Sequence, residues 1–351
     1  MIKTSSKFIG DCSLPMSKLA LGTVQIGYDR GISFDQAKEI IYSAYSEGVR
    51  YFDSAPMYGF GRAEYTLSTA LHELDIRKNV LVSTKVGRVL NSQGLYAKDP
   101  SWYLNKSGYY YDYTYDGIMS SFEDSLKRTG LDHIDLVLVH DLGKKWHGDK
   151  AELFWNQFCE SGFKALDELR RNRNVSAVGL GVNETEIVLE VAKKFKIDCA
   201  LIAGQYTLLD HKNSYEDLKK LSESNVKILA AGIFNSGVLA LGNTSQASYN
   251  YKKVPAEIVS KIQKIQVICL KYDVSLATAA LQFAASHPAI TSLVFGAKNK
   301  EETITNIRSF SKIIPYEFWV ELKSENIISE QIPITALIDL SIEYFSHEIL
   351  M

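Results

Sequence analysis

The chain has 351 residues, 46% of them hydrophobic and 23% charged, with a formal net charge of −2. That balance suits one large α/β domain or two medium ones and argues against a polyanion-binding surface or a charged tail. Cys12, Cys159, Cys199 and Cys269 form no CxxC or Cys/His cluster, so neither a disulfide framework nor a zinc site is expected.

The first residues, MIKTSSKFIGDC, lack the apolar core of a signal peptide, and no apolar run approaches 18 residues. A soluble, cytoplasmic protein is the expectation. From there short apolar runs alternate with longer amphipathic segments. KLALGT (18–23) precedes a helical pattern over 33–48 that opens on Ser33 and closes on Gly48. VRYFDS (49–54) precedes a helical pattern at 62–74, VLVSTK (80–85) one at 114–130, and IDLVLVH (134–140) one at 160–173. VSAVGLGV (175–182), CALIAGQY (199–206), VKILAAGIF (226–234) and ITSLVFGA (290–297) complete the series, with helical segments at 184–195, 214–224, 255–286 and 301–309.

The eight runs are too continuously apolar for half-exposed antiparallel strands and fit parallel strands covered by helices. Eight strands alternating with helices predict a (β/α)8 TIM barrel over 1–335, with a helical tail at 336–351. A doubly wound sheet is the competing architecture. It would bring a dinucleotide fingerprint or a composition break, and MYGFGRAE and VGLGVN are both incomplete as fingerprints. Two long connections, 86–113 and 141–154, follow strand ends on the side where barrels place their sites.

Strand ends therefore deserve scrutiny. Asp53, Lys85 and His140 end the second, third and fourth runs, and Tyr58 follows the second. Each has an ordinary explanation taken singly: Asp53 as a turn residue, Tyr58 as packing, His140 as a core histidine. Together they make a coherent set. A lysine ammonium favours a tyrosine phenolate, a carboxylate fixes the lysine, and a histidine hydrogen-bonds a substrate oxygen. Such a tyrosine can protonate a carbonyl oxygen or deprotonate an alcohol as hydride moves. No histidine spacing suggests a metal.

These residues, in GVRYFDSAPMYGFGRAEYTLSTAL, VSTKVG and SLKRTGLDHIDLVLVHD, resemble the signatures of the aldo-keto reductase superfamily. The resemblance runs from about Lys18 to Pro333. It implies a (β/α)8 barrel binding NAD or NADP, with Tyr58 as acid/base, Lys85 and Asp53 as its tuning pair, and His140 orienting substrate. YDYTYDGIMSSFEDSLKRTG, AGQYTLLDH, GIFNSGVLA and IIPYEFWVELKSENII are most similar to the branch of L-fucose (D-threo-aldose 1-) dehydrogenases and pyridoxal 4-dehydrogenases.

The same resemblance implies cofactor contacts at Thr23, Asn183, Gln205 and Tyr206, at Phe234, Asn235, Ser236, Gly237 and Leu239, and at Gly296, Lys298 and Asn306. Ala203 stands where many members carry glutamine. Glu302 stands where NADP-preferring members place a basic residue, which points towards NAD, although Lys298 and Lys300 are near enough to meet a phosphate. Trp102, Tyr109, Asp141, Trp146 and His147 are the substrate-contact candidates. The implied activity is oxidation of an L-fucose-like aldose at C1 to a lactone. The alternatives are an NADPH-dependent aldehyde or ketone reductase, a pyridoxal dehydrogenase, or a cofactor-sensing subunit like potassium-channel β-subunits. Expected partners are a small carbonyl or sugar substrate, with no nucleic acid or membrane, in a monomer or homodimer.

Overall fold

The structure is a computed structural model, and it describes residues 7–27, 31–91, 108–242, 244, 247–250 and 252–333. Ten strands are described: β1 (Leu19–Gly22), β2 (Tyr51–Asp53), β3 (Leu81–Val86), β4 (Arg88–Leu90), β5 (Tyr109–Tyr111), β6 (Ile134–His140), β7 (Val175–Val182), β8 (Cys199–Ala203), β9 (Lys227–Ala231) and β10 (Ile290–Phe295). Eight of them close a parallel barrel in the order β1-β10-β9-β8-β7-β6-β3-β2. All of its ladders are parallel, as expected of strands buried on both faces. The expected (β/α)8 architecture is what the chain adopts.

Period-two alternation divides each strand between two cores. Tyr51, Leu81, Leu136, Leu138, Ala177, Cys199, Leu201, Leu229 and Val294 fill the barrel interior together with Ala20. Their neighbours, among them Phe52, Val82, Val137, Val139, Val178 and Ile202, face the helical layer. Following the inward parity towards the strand C-termini leads from Tyr51 to Asp53, from Leu81 through Ser83 to Lys85, and from Leu138 to His140. The same alternation that fills the core thus sets three polar side chains on the inner wall of one mouth.

The opposite end is closed. Ile9, Cys12 and Met16 are buried against the interior cluster, and Asp11 N–H donates to the Ser176 carbonyl.

Three connections differ from expectation. The 86–113 loop is not irregular throughout, because β4 and β5 pair antiparallel at its two ends, Arg88 opposite Tyr111 and Leu90 opposite Tyr109. Gly87 makes the switch out of the barrel: its φ is +89°, and a Cβ there would meet the Tyr113 ring at 2.5 Å. The 141–154 loop is helical from Lys144, with helices Lys144–His147 and Ala151–Gln157. The segment 255–286 is two helices, Ala256–Lys271 and Leu276–Ala285, bent by 100°. The break falls at Asp273, with φ +53°, and Ser275 caps the second helix by accepting from Thr278 N–H. Trp102 and the tail at 336–351 lie outside the described residues.

Candidate active site

Asp53 ends β2 with 2% of its surface exposed. Its Oδ1 accepts from Ser83 Oγ at 2.7 Å and from Lys85 Nζ at 2.9 Å, and its Oδ2 accepts from Lys85 Nζ at 2.8 Å. Lys85 Nζ also donates to the Ser54 carbonyl at 2.8 Å. A buried ammonium is tolerable only when paired and hydrogen-bonded, and these contacts meet that condition. Gly181 on β7 leaves room for the lysine stem, since a Cβ there would press on Lys85 Cε at 3.1 Å. Thr23 braces the arrangement from behind, donating through N–H and Oγ1 to the Asp53 carbonyl.

Tyr58 sits in the turn after β2, held by its N–H to the Ala55 carbonyl and by Ala63 N–H to its own carbonyl. The chain must pass close to another backbone here, because a Cβ on Gly59 would fall 2.2 Å from the Gly27 carbonyl oxygen. The Lys85 ammonium lies 4.6 Å from the Tyr58 ring centroid. The His140 ring stands edge-on to it at 6.0 Å.

His140 ends β6, and its carbonyl accepts from Tyr113 Oη at 2.7 Å. Its Nδ1 is buried with no hydrogen-bond partner among the described residues. Burial, then the nearby Arg88 and Lys85 charges, holds the imidazole well below its ordinary range. It is therefore neutral, with one ring nitrogen able to donate and the other to accept.

Tyr58, Lys85 and His140 open onto one cavity of about 610 Å³. It runs past Asn183 and the Phe234–Gly237 loop to Gly296, Lys298 and Glu302. Asn235, Ser236 and Gly237 have φ of 44°, 60° and 104°, a left-handed turn closed by Asn235 N–H donating to the Gly232 carbonyl and Gly237 N–H to the Phe234 carbonyl. At the far end Asn299 caps helix Lys300–Phe310, and Glu302 Oε2 accepts from Lys298 N–H at 2.8 Å. The cavity is elongated, with polar groups along it: the Asn183 amide, whose Nδ2 donates to the Ala203 carbonyl at 3.3 Å and whose Oδ1 accepts from Trp146 Nε1 at 2.9 Å, then the Phe234–Gly237 turn, then Lys298 and Glu302 at the outer end.

The expected contact residues divide into two groups. Asn183, Phe234, Ser236, Gly237, Gly296, Lys298, Asp141 and Trp146 line the cavity. Others stand behind it. Gln205 donates to the Asn183 carbonyl at 2.7 Å, Asn235 donates to Asp210 at 2.8 Å, and Asn306 donates to the Gly296 carbonyl at 3.4 Å. Leu239 is fully buried in the helical layer. Tyr206 is turned away from the mouth because β8 ends at Ala203; it stacks on Phe283 at 5.2 Å and meets His287 edge-on. His147 packs under the rim against Tyr111 and hydrogen-bonds Tyr113 Oη at 2.9 Å, while Tyr109 lies against Arg88.

Sequence reasoning missed Gln25, Met57 and Arg88, all of which line the cavity. Arg88 had a signal: an arginine three residues after a buried lysine, in VSTKVGRV, repeats the oddity of a charge in an apolar run.

Residues 18–326 match the Aldo/keto reductase family. The chain belongs to that family and is an NAD(P)-dependent oxidoreductase. It is 38% identical over 343 residues to pyridoxal 4-dehydrogenase of Microbacterium luteolum, covering 93% of this chain and 99% of that one. It is 30% identical over 325 residues to D-threo-aldose 1-dehydrogenase of a Pseudomonas species, covering 90% and 95%. Those two relatives represent the branch expected from the sequence. Among solved structures, a holo-form aldo-keto reductase of Bacillus halodurans superposes with a TM-score of 0.72 at 18% identity, covering 94% of this chain and 99% of that one. A glycerol dehydrogenase of Gluconobacter oxydans gives 0.71 at 20%, covering 93% and 95%. At such identities these two speak for the fold alone.

Proposed function

We propose that this chain is an NAD-preferring dehydrogenase that oxidises the hemiacetal carbon of a small cyclic substrate to a lactone. The observation that carries the reading is the convergence of Tyr58, the Lys85–Asp53 pair and His140 on one cavity. Bound nicotinamide supplies the hydride acceptor. Tyr58 takes the hydroxyl proton, and the adjacent Lys85 ammonium stabilises the phenolate form needed to do so. Asp53 holds that ammonium in place. Neutral His140 hydrogen-bonds the same substrate oxygen and orients it.

The substrate class rests on chemistry shared by the two relatives' named substrates. An aldose closes on itself to a cyclic hemiacetal, and pyridoxal, with an aldehyde beside a hydroxymethyl group, closes in the same way. In both, oxidation of the hemiacetal carbon gives a lactone. The NAD preference rests on Glu302, which lines the adenosine end of the cavity, and on Lys300, whose ammonium is drawn to Glu39 at 3.1 Å. A 2′-phosphate would face the carboxylate with Lys298 as its neighbouring cation, whereas a ribose hydroxyl could donate to that carboxylate. Asn183 and the cavity-lining turn residues Phe234, Ser236 and Gly237 would hold the nicotinamide amide and the pyrophosphate. The residues that stand behind the cavity, Gln205, Asn235 and Asn306, would set the lining residues.

The test is oxidation of L-fucose, other aldoses and pyridoxal with NAD and with NADP, the products identified as lactones by mass spectrometry. Folded protein that binds NAD but oxidises none of these hemiacetals would overturn the reading. A kcat/KM higher with NADP would overturn the cofactor assignment alone.

A further inference from the structure

The outer wall of the cavity carries a second buried ion pair that the hydride chemistry does not use. Arg88 Nη1 donates to Asp141 Oδ2 at 2.7 Å, and both residues line the cavity beside His140. They follow closely on the strands that carry Lys85 and His140. Asp141 follows His140 directly, with φ +59° and its N–H donating to the Gly181 carbonyl, and Arg88 is the first residue of β4, three after Lys85. Aromatic rings hold the guanidinium: its Cζ lies 4.5 Å from the Tyr109 centroid, 5.3 Å from Tyr111 and 5.8 Å from Trp146. Arg88 Nε is buried with no hydrogen-bond partner among the described residues.

We propose that the Arg88–Asp141 pair is the specificity element of this site and recognises a hydroxyl on the carbon next to the reacting carbon. The pair is internally neutral and presents a fixed donor beside a fixed acceptor. A hydroxyl satisfies both at once, because it donates and accepts. A methylene in its place would strip water from two charged groups and return nothing, which is the arrangement by which sites reject substrates lacking a hydroxyl. An anionic group would meet the Asp141 carboxylate beside the guanidinium and is disfavoured. The inference rests on reading this cavity as the site of hydride transfer and is independent of whether the physiological substrate is a hemiacetal; among the hemiacetals proposed above it favours aldoses, which carry that hydroxyl, over pyridoxal, whose neighbouring ring carbon carries none. The competing explanation is a static clamp that fastens the β4–β5 hairpin to the barrel. A clamp would alter turnover of every substrate in proportion.

The experiment compares two aldehydes of similar size with NADH: glyceraldehyde, which carries the neighbouring hydroxyl, and propanal, which lacks it. The readout is the ratio of their kcat/KM values. The wild-type ratio should favour glyceraldehyde by roughly tenfold or more, with Arg88→Met and Asp141→Asn each lowering it about tenfold. Asparagine tolerates the left-handed backbone at 141, so that variant changes the charge and keeps the turn. If Arg88→Met does not fold, Arg88→Lys removes the planar fork, keeps the charge, and should lower the ratio as well. A wild-type ratio near one, or a ratio the variants leave unchanged, overturns the proposal. Failure to oxidise hemiacetals with the ratio intact overturns the proposed function and leaves this inference standing.

Discussion

Lys85 touches both oxygens of the Asp53 carboxylate, at 2.9 and 2.8 Å, in a site where neither side chain is more than 3% exposed. Removing one partner strands the other. Lys85→Met should destabilise the fold by about 3–5 kcal/mol, because an uncompensated carboxylate remains in the barrel. Lys85→Met combined with Asp53→Leu should recover much of that loss without recovering activity. Urea denaturation of the single and double variants measures both, and a double variant no more stable than Lys85→Met would contradict the account.

Tyr58→Phe deletes one oxygen and leaves the ring against Lys85 and His140. With Tyr58 as the acid/base, kcat should fall by roughly 10²–10⁴-fold. Thermal stability and the dissociation constant for NAD should stay close to wild type. Retention of more than a tenth of the wild-type kcat would remove the tyrosine from that role.

Glu302 is the residue to change for cofactor choice. Glu302→Gln removes the charge from the outer end of the cavity, where the proposed function places adenosine, while keeping an acceptor for Lys298 N–H. The ratio of kcat/KM with NADP to that with NAD should rise about tenfold, the equivalent of roughly 1.4 kcal/mol. Titrations of NADP and NAD against the two proteins should move in parallel with the rates. An unchanged ratio would mean that the 2′ position lies elsewhere.

The buried histidines give stability a sign with pH. His211 Nδ1–H donates to the Thr207 carbonyl at 3.0 Å, while Nε2 accepts from Ser329 N–H at 3.1 Å, so protonation would break the second contact. Burial, opposed by the Thr207 bond and aided by the smaller effect of the Lys261 charge, brings its pKa down to about 4. His140 and His287 are also lowered, chiefly by burial. As pH falls below about 6.5 the unfolded chain takes up these protons and the native chain does not, so stability declines. For His211 the decline runs from about 6.5 down to its folded value. Asp141, pushed up to about 6 by burial against the pull of Arg88, acts in the opposite sense: the native chain binds that proton first, adding stability as pH falls through 6. His211→Asn should reduce the slope of unfolding free energy between pH 6 and 5 by about 1.4 kcal/mol per pH unit. Identical slopes in the two proteins would refute the assignment.

The barrel and the heart of the candidate site were legible because both follow from one local pattern. Period-two burial plus a polar residue closing an apolar run marks Asp53, Lys85 and His140 without any knowledge of pairing. What was not legible depends on contacts distant in sequence. The antiparallel match of RVL at 88–90 with YYY at 109–111 joins segments whose register no local signal specifies. Tyr206 was expected at the cofactor from the family resemblance, and CALIAGQY did not show where its strand would end. The strand stops three residues earlier, and the tyrosine finds Phe283 instead. The break between Lys271 and Leu276 is likewise invisible to apolar spacing, since both halves are apolar enough to continue.

Ile9, Cys12 and Met16 pack beneath the interior side chains, so among the described residues the cavity that holds Tyr58, Lys85 and His140 opens at the other end of the barrel. Molecules that must share one entrance cannot come and go independently. On the proposed function, a dinucleotide lying along the channel to Lys298 would be seated before its partner arrives at the rim and would depart after that partner's product. Product-inhibition patterns should then display a queue, an ordered rather than a random sequence.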